Sequence, residues 1–342
     1  LDASFAVVGL DQVLWGERLR ELGLRGSLSA GVITLEEASV QHHYGRATLT
    51  GTLDVPGQRA RLRGAVHAPS LARLRGLGAP DDLEGAAHYR GGVVVAWAEE
   101  DVQVTADGQL NSEDLAIAGV RVGAISGPVH VSATGGHVDG TGALTVDGVL
   151  VEPSLEIGRA ELGLVLRWAT DRGVQIRTDI DASGVMVGDG AVGVESLTGT
   201  LEGAFASEGM PQGQARLVAS NLLLGPTQVE AEGGPIVGSF DGDHIEVQFD
   251  LVRQKKAFLR GLVKGVLSEE LWTIEDFEVA PIAERPFRAD DIVRFRLREG
   301  GLQDLDAALS GDAGRLVAKG TWMPRDGDGT NLVLTLDAVD LA

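Results

Sequence analysis

Gly188-Asp-Gly-Ala-Val-Gly193 has the spacing of a dinucleotide-binding loop, Gly-x-Gly-x-x-Gly. Such a loop opens a helix whose N-terminus holds the pyrophosphate, whereas residues 194–201 continue as alternating, strand-like sequence. Asp326-Gly-Asp-Gly-Thr330 resembles the start of a calcium loop, with Asp337 at its twelfth position. The glycine stands fourth rather than sixth, and Leu332 and Leu334 read as strand, so the segment is read as a hairpin turn. His42 and His43 are adjacent, hence on opposite faces of a strand, and make a poor metal pair. His130 and His137 are close enough in sequence to meet across a hairpin, but no carboxylate cluster accompanies them. Ser126 and Ser183 precede glycine without the Gly-x-Ser-x-Gly elbow of a nucleophile. Glu36-Glu37, Asp81-Asp82 and Glu99-Glu100-Asp101 read as turn or strand-edge charge that blocks edge pairing. The basic cluster Arg253, Lys255, Lys256, Arg260 and Lys264 reads as a solvated face, with a headgroup or partner contact as the alternative. No catalytic constellation emerges, so the expectation is a non-enzyme with no cofactor and no metal.

Composition narrows the class. The 342 residues include 48 glycines, 11 prolines, no cysteine and only 15 aromatics; glycine is about twice as common as usual. There is no Gly-X-Y period, which excludes collagen, and 44% hydrophobic residues argue against disorder. Absent cysteine excludes a disulfide scaffold and thiolate metal sites. With 29 basic against 50 acidic residues the net charge is −21. That field repels nucleic acid and disfavours tight docking on an anionic leaflet. The longest apolar run, residues 93–98, falls far short of the roughly 20 residues a membrane helix needs. No signal peptide is recognisable. The sequence opens within strand-like residues 4–8 and stops just after strand-like residues 332–336, and so reads as an internal segment of a longer protein.

The elements follow from a period of two. In residues 49–55, Leu49, Leu53 and Val55 share one face while Thr50, Thr52 and Asp54 share the other. The same alternation runs through 162–168, 174–180, 245–251, 293–298 and 332–336, and it means antiparallel strands with one apolar and one wet face. Pro56-Gly57, Asp107-Gly108, Asp147-Gly148, Asp241-Gly242 and Gly300-Gly301 are read as hairpin signals. At this density the chain holds on the order of two dozen strands. Helical pattern is confined to residues 11–22, with Asp11 as N-cap, and 70–77, after Pro69; residues 255–267 fit helix or strand.

An apolar–Ser/Thr–Gly–x–apolar core recurs at Leu49-Thr-Gly-Thr-Leu53, Ile125-Ser-Gly-Pro-Val129 and Leu197-Thr-Gly-Thr-Leu201. The recurrence implies β modules of about 72–76 residues stacked end to end, divided as 1–70, 71–150, 151–252 and 253–342. The fold class expected is therefore all-β, an elongated, curled antiparallel sheet with one or two short helices. In-strand glycines such as Gly51, Gly64, Gly127 and Gly199 bend such a sheet. An aliphatic, aromatic-poor face is either a core closed by a second sheet or the lining of an open groove, and alternation alone leaves both open.

The repeated Leu24-Arg-Gly-Ser-Leu-Ser-Ala30 and Leu-Thr-Gly-Thr-Leu elements and the short helix before Leu83-Glu-Gly85 resemble TamB and its AsmA-like relatives. So do Leu271-Trp-Thr-Ile274, Arg285-Pro-Phe287, Phe295-Arg-Leu-Arg-Glu-Gly-Gly-Leu302, Leu309-Ser-Gly-Asp-Ala-Gly-Arg-Leu316, Gly320-Thr-Trp322 and Leu332-Val-Leu-Thr-Leu336, in that order. The resemblance covers most of the chain and is best from about residue 258 onward. That family's anchor helix and C-terminal domain are absent from this sequence. The resemblance implies a taco-like β groove in the periplasm, anchored in the inner membrane through a segment not present here. Such a groove conducts phospholipids toward the outer membrane, with an outer-membrane β-barrel partner reached through the missing regions. Residues expected to line it, by alternation, are Leu49, Leu53, Val55, Val102, Val104, Leu144, Val146, Ile176, Ile180, Val247, Phe249, Phe295, Leu297, Leu334 and Leu336. The alternatives are a scaffold that offers strand edges to nascent barrel proteins, and an extracellular stalk of closed sandwiches.

Overall fold

A segment that alternates Leu or Val with Thr, Arg or Asp satisfies its backbone only beside another strand, and it wets one side. The computed structural model describes residues 2–337 except 15–16, 78–80, 99–100, 118, 152–154, 188–191, 206–209, 225–228, 267–270, 283–284, 299–300, 313 and 323–330. Nearly all of this is strand. The first nine are β1 (Ala3–Leu14), β2 (Glu17–Ser29), β3 (Val32–His42), β4 (Gly45–Asp54), β5 (Arg59–Ala68), β6 (Glu84–Trp97), β7 (Val102–Ile117), β8 (Val120–Thr134) and β9 (His137–Val151). Next come β10 (Leu155–Ala169), β11 (Gly173–Val187), β12 (Val192–Phe205), β13 (Gln212–Leu224), β14 (Val229–Asp241), β15 (His244–Arg253) and β16 (Lys256–Val266). The last six are β17 (Leu271–Ile282), β18 (Arg285–Ala289), β19 (Val293–Arg298), β20 (Gly301–Gly311), β21 (Gly314–Trp322) and β22 (Asn331–Asp337).

The chain divides into two compact units: residues 1–149 with 161–174, and residues 150–160 with 175–342. In the first, every strand from β1 to β8 pairs antiparallel with the next. In the second, the same meander runs from β12 to β17. There β18 and β19 share one lane, both pairing with β17 on one side and β20 on the other. β20, β21 and β22 then follow in order. The all-β antiparallel class expected from the alternation is what the chain adopts.

Local differences from the sequence reading are informative. Residues 11–22 form no helix: their described residues belong to β1 and β2, with Leu10 opposite Glu21 and Gln12 opposite Leu19. Asp11 is not an N-cap but a strand residue at φ 50°. Residues 71–77 form a short 3-10 helix, and the ambiguous 255–267 segment supplies β16. Pro56-Gly57 and Asp241-Gly242 do make turns, but Asp107-Gly108 and Asp147-Gly148 lie inside β7 and β9.

Gly148, within β9 at φ 66°, is one instance of a device repeated along the fold. Asp114, Gly148, Gly184, Asn221, Asp276 and Asp304 all sit within strands at φ between 51° and 66°, a left-handed conformation that Gly, Asn and Asp tolerate best. Such a residue reverses the pleat locally, so side chains that strict alternation would split come to one side. Burial follows: Ala182 (1% exposed) and Val185 (3%) flank Gly184, and Ala219 (1%) and Leu222 (3%) flank Asn221. Ser112 and Leu115, Val146 and Val149, Ile274 and Phe277, and Leu302 and Leu305 flank the other four at the same offsets.

The recurrent glycines Gly51, Gly127 and Gly199 fall on β4, β8 and β12, so the sequence repeat is a module of four strands. Their φ values are 148°, 152° and 152°. A Cβ at each would collide with the carbonyl oxygen of Arg61, Ala143 or Arg216 on the next strand. Gly199→Ala is therefore expected to cost about 1–3 kcal/mol, read as a lowered denaturant midpoint. Gly193→Ala, where the built Cβ meets only Leu223 at 3.6 Å, should leave the midpoint nearly unchanged. Equal midpoints for the two variants would refute this account.

Candidate functional site

Cross-strand partners share a face, so the registers assemble each face row by row. In the first unit, Leu53, Ala60, Val95, Val104 and Ala133 form one row across β4 to β8; Gly51, Leu62, Val93, Ala106 and Val131 form the next. In the second unit, Leu201, Ala215, Gly238, Val247, Val263, Ile274 and Val293 cross seven strands without a polar residue. The row beside it on the opposite face is Glu202, Gln214, Ser239, Glu246, Lys264, Thr273, Arg294, Asp306 and Lys319.

Aromatic rings lie over glycines on the apolar face. Phe5 faces Gly26, Phe240 faces Gly213, Phe249 faces Gly261 and Trp272 faces Gly265, each a direct cross-strand pair. In every case the ring is among the nearest atoms to the site of the missing Cβ. Tyr89 covers Gly91 and Gly108 and donates its hydroxyl to the Gly92 carbonyl at 3.3 Å. Burial, with Asp107 adding to it, pushes that phenol above its ordinary pKa. Few aromatics and many glycines are thus one fact: each of these rings fills the hole its glycine partner leaves.

Nothing covers this face completely among the described residues. Buried clusters do form, Phe287 with Leu309 and Val293 with Ala307 and Ala318, but Val102 on the apolar face of the first unit stays about half exposed, at 53%.

The residues expected to line a groove fall as follows. Leu49, Leu53, Val102 and Val104 share the apolar face of the first unit, while Val55 lies in the turn after β4 and is 52% exposed. Leu144, opposite Gly127, is half-buried there, and Val146 is buried. In the second unit Val247, Phe249 and Phe295 lie on the apolar rows. Ile176 and Ile180 are half-buried while Gln175, Arg177 and Asp179 between and beside them are exposed. Leu334 is opposite Ala318, which packs with Val293 and Ala307, and is 60% exposed. The side chains of Leu297 and Leu336 lie outside the described residues.

The alternation missed a cleft of about 790 Å³ at the pleat-reversing end of the second unit, a size typical of small-molecule sites. Val185, Met186, Val194, Leu222, Leu223 and Ala231 wall it, with Glu195, Glu230, Glu232 and Arg253 at its rim. Its signal in sequence is the spacing Ala182-Ser-Gly-Val185 and Ala219-Ser-Asn-Leu222, an apolar pair three apart around Gly or Asn.

The polar candidates resolve into structural roles. The dinucleotide-like glycines 188–191 and the calcium-like segment 326–330 lie outside the described residues. His42 and His43 do not straddle a strand. His43 is in the turn after β3, and its ring stacks on that of His42 at 4.0 Å and on that of Tyr44 at 3.7 Å. His130 meets Asp107, and no metal-ligating cluster of three or more exists among the described residues. Of the basic cluster, Arg253 lies 5.8 Å from the Phe258 ring, Lys264 pairs with Glu275 at 2.7 Å, and Arg260 pairs with Glu278 at 2.7 Å. The hydrogen bond to Glu275 raises the Lys264 pKa. No helix among the described residues is long and apolar enough to cross a membrane.

No family model matches the chain, and no curated protein matches it.

Among the described residues Glu278 is the most buried carboxylate, its side chain 10% exposed, and it also accepts from Arg288 at 2.6 Å. Burial alone would raise its pKa, but the hydrogen bonds and charges of Arg288 and Arg260 prevail and hold it below the ordinary glutamate value. A depressed native pKa stabilises the fold above the unfolded value and is lost as pH falls through the native one. Acid titration of the melting temperature should therefore show a loss in that window. Glu278→Gln should lower the neutral-pH melting temperature and shrink the acid loss; an unchanged pH profile in the variant would contradict the assignment.

Proposed function

We propose that the apolar faces of the two units hold the acyl chains of phospholipids, and that the protein moves or stores lipid without catalysing a reaction. The observation that carries this is the apolar row from Leu201 to Ile274, whose members are all half-buried across six strands before the row ends on buried Val293. A closed core would bury such residues fully. A flexible hydrocarbon laid along them gains about 25 cal/mol for every Å² it covers. Aliphatic rows levelled by rings over glycines offer surface without the directional polar groups that a specific small molecule needs. The charged wet face keeps such a sheet in solution. The TamB-like resemblance agrees with this reading and adds to it a periplasmic setting between two membranes.

A second reading rests on the terminal strands. β1 exposes Val8 (77%) and Leu10 (67%), and β22 exposes Val333 (59%) and Leu334 (60%); strands of this kind suit β-augmentation by an unfolded client or a barrel edge.

Site-specific photo-crosslinkers separate the two. Probes at Val247 and Phe249 should capture phospholipid from membranes, and probes at Val8 and Val333 should not. The double variant Val247→Asp, Phe249→Asp should abolish lipid co-purification in native mass spectrometry while retaining the β circular-dichroism signal. Lipid recovery unchanged by this variant would sink the acyl-chain reading, and protein adducts at Val8 or Val333 alone would favour the second.

A further inference from the structure

The polar face of the first unit differs from that of the second. In the second unit cations meet carboxylates: Arg177 with Glu202, Arg260 and Arg288 with Glu278, Lys264 with Glu275, and Lys319 with Asp306. On β4, β5 and β6 of the first unit stand Arg46, Arg59, Arg61, Arg63 and Arg90, and none of the five side chains makes an ion pair or hydrogen bond among the described residues. The registers put them in one array. Arg46 is opposite His67, which is opposite His88; Arg90 is opposite Ala65; Arg63, Arg61 and Arg59 follow at every second position of β5. All five lie on the side away from Leu53, Ala60 and Val95. On this face Asp54 accepts the Gly57 amide at 2.9 Å, and Asp107 of β7 stands opposite Gly92 and meets His130. Five arginines against these two carboxylates leave a positive patch in a chain of net charge −21.

The chemistry of this array favours phosphate. Every cation of residues 1–149 is arginine, whose planar fork matches phosphate oxygens two at a time. Arginines alternate along a strand about 7 Å apart, with neighbouring strands about 4.8 Å away. That array meets many anions spread over a surface rather than one anion in a pocket. A protein partner would be anchored by aromatic or large aliphatic side chains in pockets, whereas the residues between these arginines are Thr48, Thr50, Thr52, Ala65, Gly92, Val94 and Ala96, with Val94 the one branched aliphatic side chain.

We propose that the arginine face of β4, β5 and β6 docks on the surface of an anionic phospholipid bilayer. Clusters of four to eight basic residues suffice for such binding. The acidity of the rest of the chain opposes it only within about 8 Å at physiological ionic strength. Docking through this face leaves the apolar face of the same strands free. The inference does not rest on the acyl-chain reading, because it concerns the opposite side of the sheet and its test uses charge, not hydrocarbon.

The test is co-flotation of the purified chain with vesicles of equimolar phosphatidylglycerol and phosphatidylcholine, or of phosphatidylcholine alone. Binding is expected only to the anionic vesicles, weakening steeply as salt is raised. The triple variant Arg59→Gln, Arg61→Gln, Arg63→Gln should bind on the order of a hundredfold more weakly. The triple Arg167→Gln, Arg172→Gln, Arg177→Gln removes the same charge elsewhere and should bind like the parent. Lipid crosslinking at Val247 should be unaffected by the first triple, which separates failure of this inference from failure of the acyl-chain reading. Absence of binding to anionic vesicles, equal binding by the two triples, equal binding to both vesicle types, or capture by polyglutamate instead of vesicles would each overturn the proposal.

Discussion

A strand has two sides and no more, so a sheet that turns must still decide at every residue which side is wet. In this protein that decision is held through each bend by a single left-handed residue, Asp114, Gly148, Gly184, Asn221, Asp276 or Asp304. Without it, Leu222 would stand on the opposite face from Ala219, and Val185 from Ala182. Both pairs are instead buried together. The continuity of the apolar side, the position of the cleft at Val185 and Leu222, and the segregation of charge to the other face all depend on this local reversal. Asn and Asp serve as well as Gly here because their short polar side chains offset the left-handed cost with local hydrogen bonds.

The glycines divide by what they prevent. Gly51, Gly127 and Gly199 leave room for a neighbouring carbonyl, whereas Gly213, Gly261 and Gly265 leave room for a ring. The first kind sets how closely backbones approach, the second how level the surface is. Charge is managed on the same principle of neighbours. Glu278 is tolerated at its depth because two guanidiniums converge on it, and the second unit's wet face is largely such pairs. The first unit leaves five arginines uncompensated, which makes the summed charge a poor guide to what either face meets.

Much of this was legible in the sequence. Alternation puts Val247 and Phe249 on one face with apolar partners, because cross-strand neighbours enforce what the pattern suggests. The Leu-Thr-Gly-Thr-Leu recurrence falls on strands four apart whose glycines share one φ. The failures share a cause. Asp147-Gly148 looks like a hairpin and is a mid-strand reversal, because both need a positive φ and dipeptide chemistry cannot tell a chain that turns back from one that turns over. Residues 11–22 carry helical spacing, yet the pairing of β1 with β2 overrides it. The cleft around Leu222 was invisible to strict alternation, since the period breaks where the cleft forms.

Apart from the shared lane of β18 and β19, the strands from β1 to β8 and from β12 onward pair with the one made just before, so nearly every hydrogen bond there joins residues a few tens of positions apart. A fold of that kind has low contact order for an all-β protein. It needs no distant segment to arrive before early strands are satisfied, and a chain emerging from one end can zip up hairpin by hairpin as it appears. The same locality makes length a free variable: four strands can be gained or lost at a module boundary while every remaining register stays as it was.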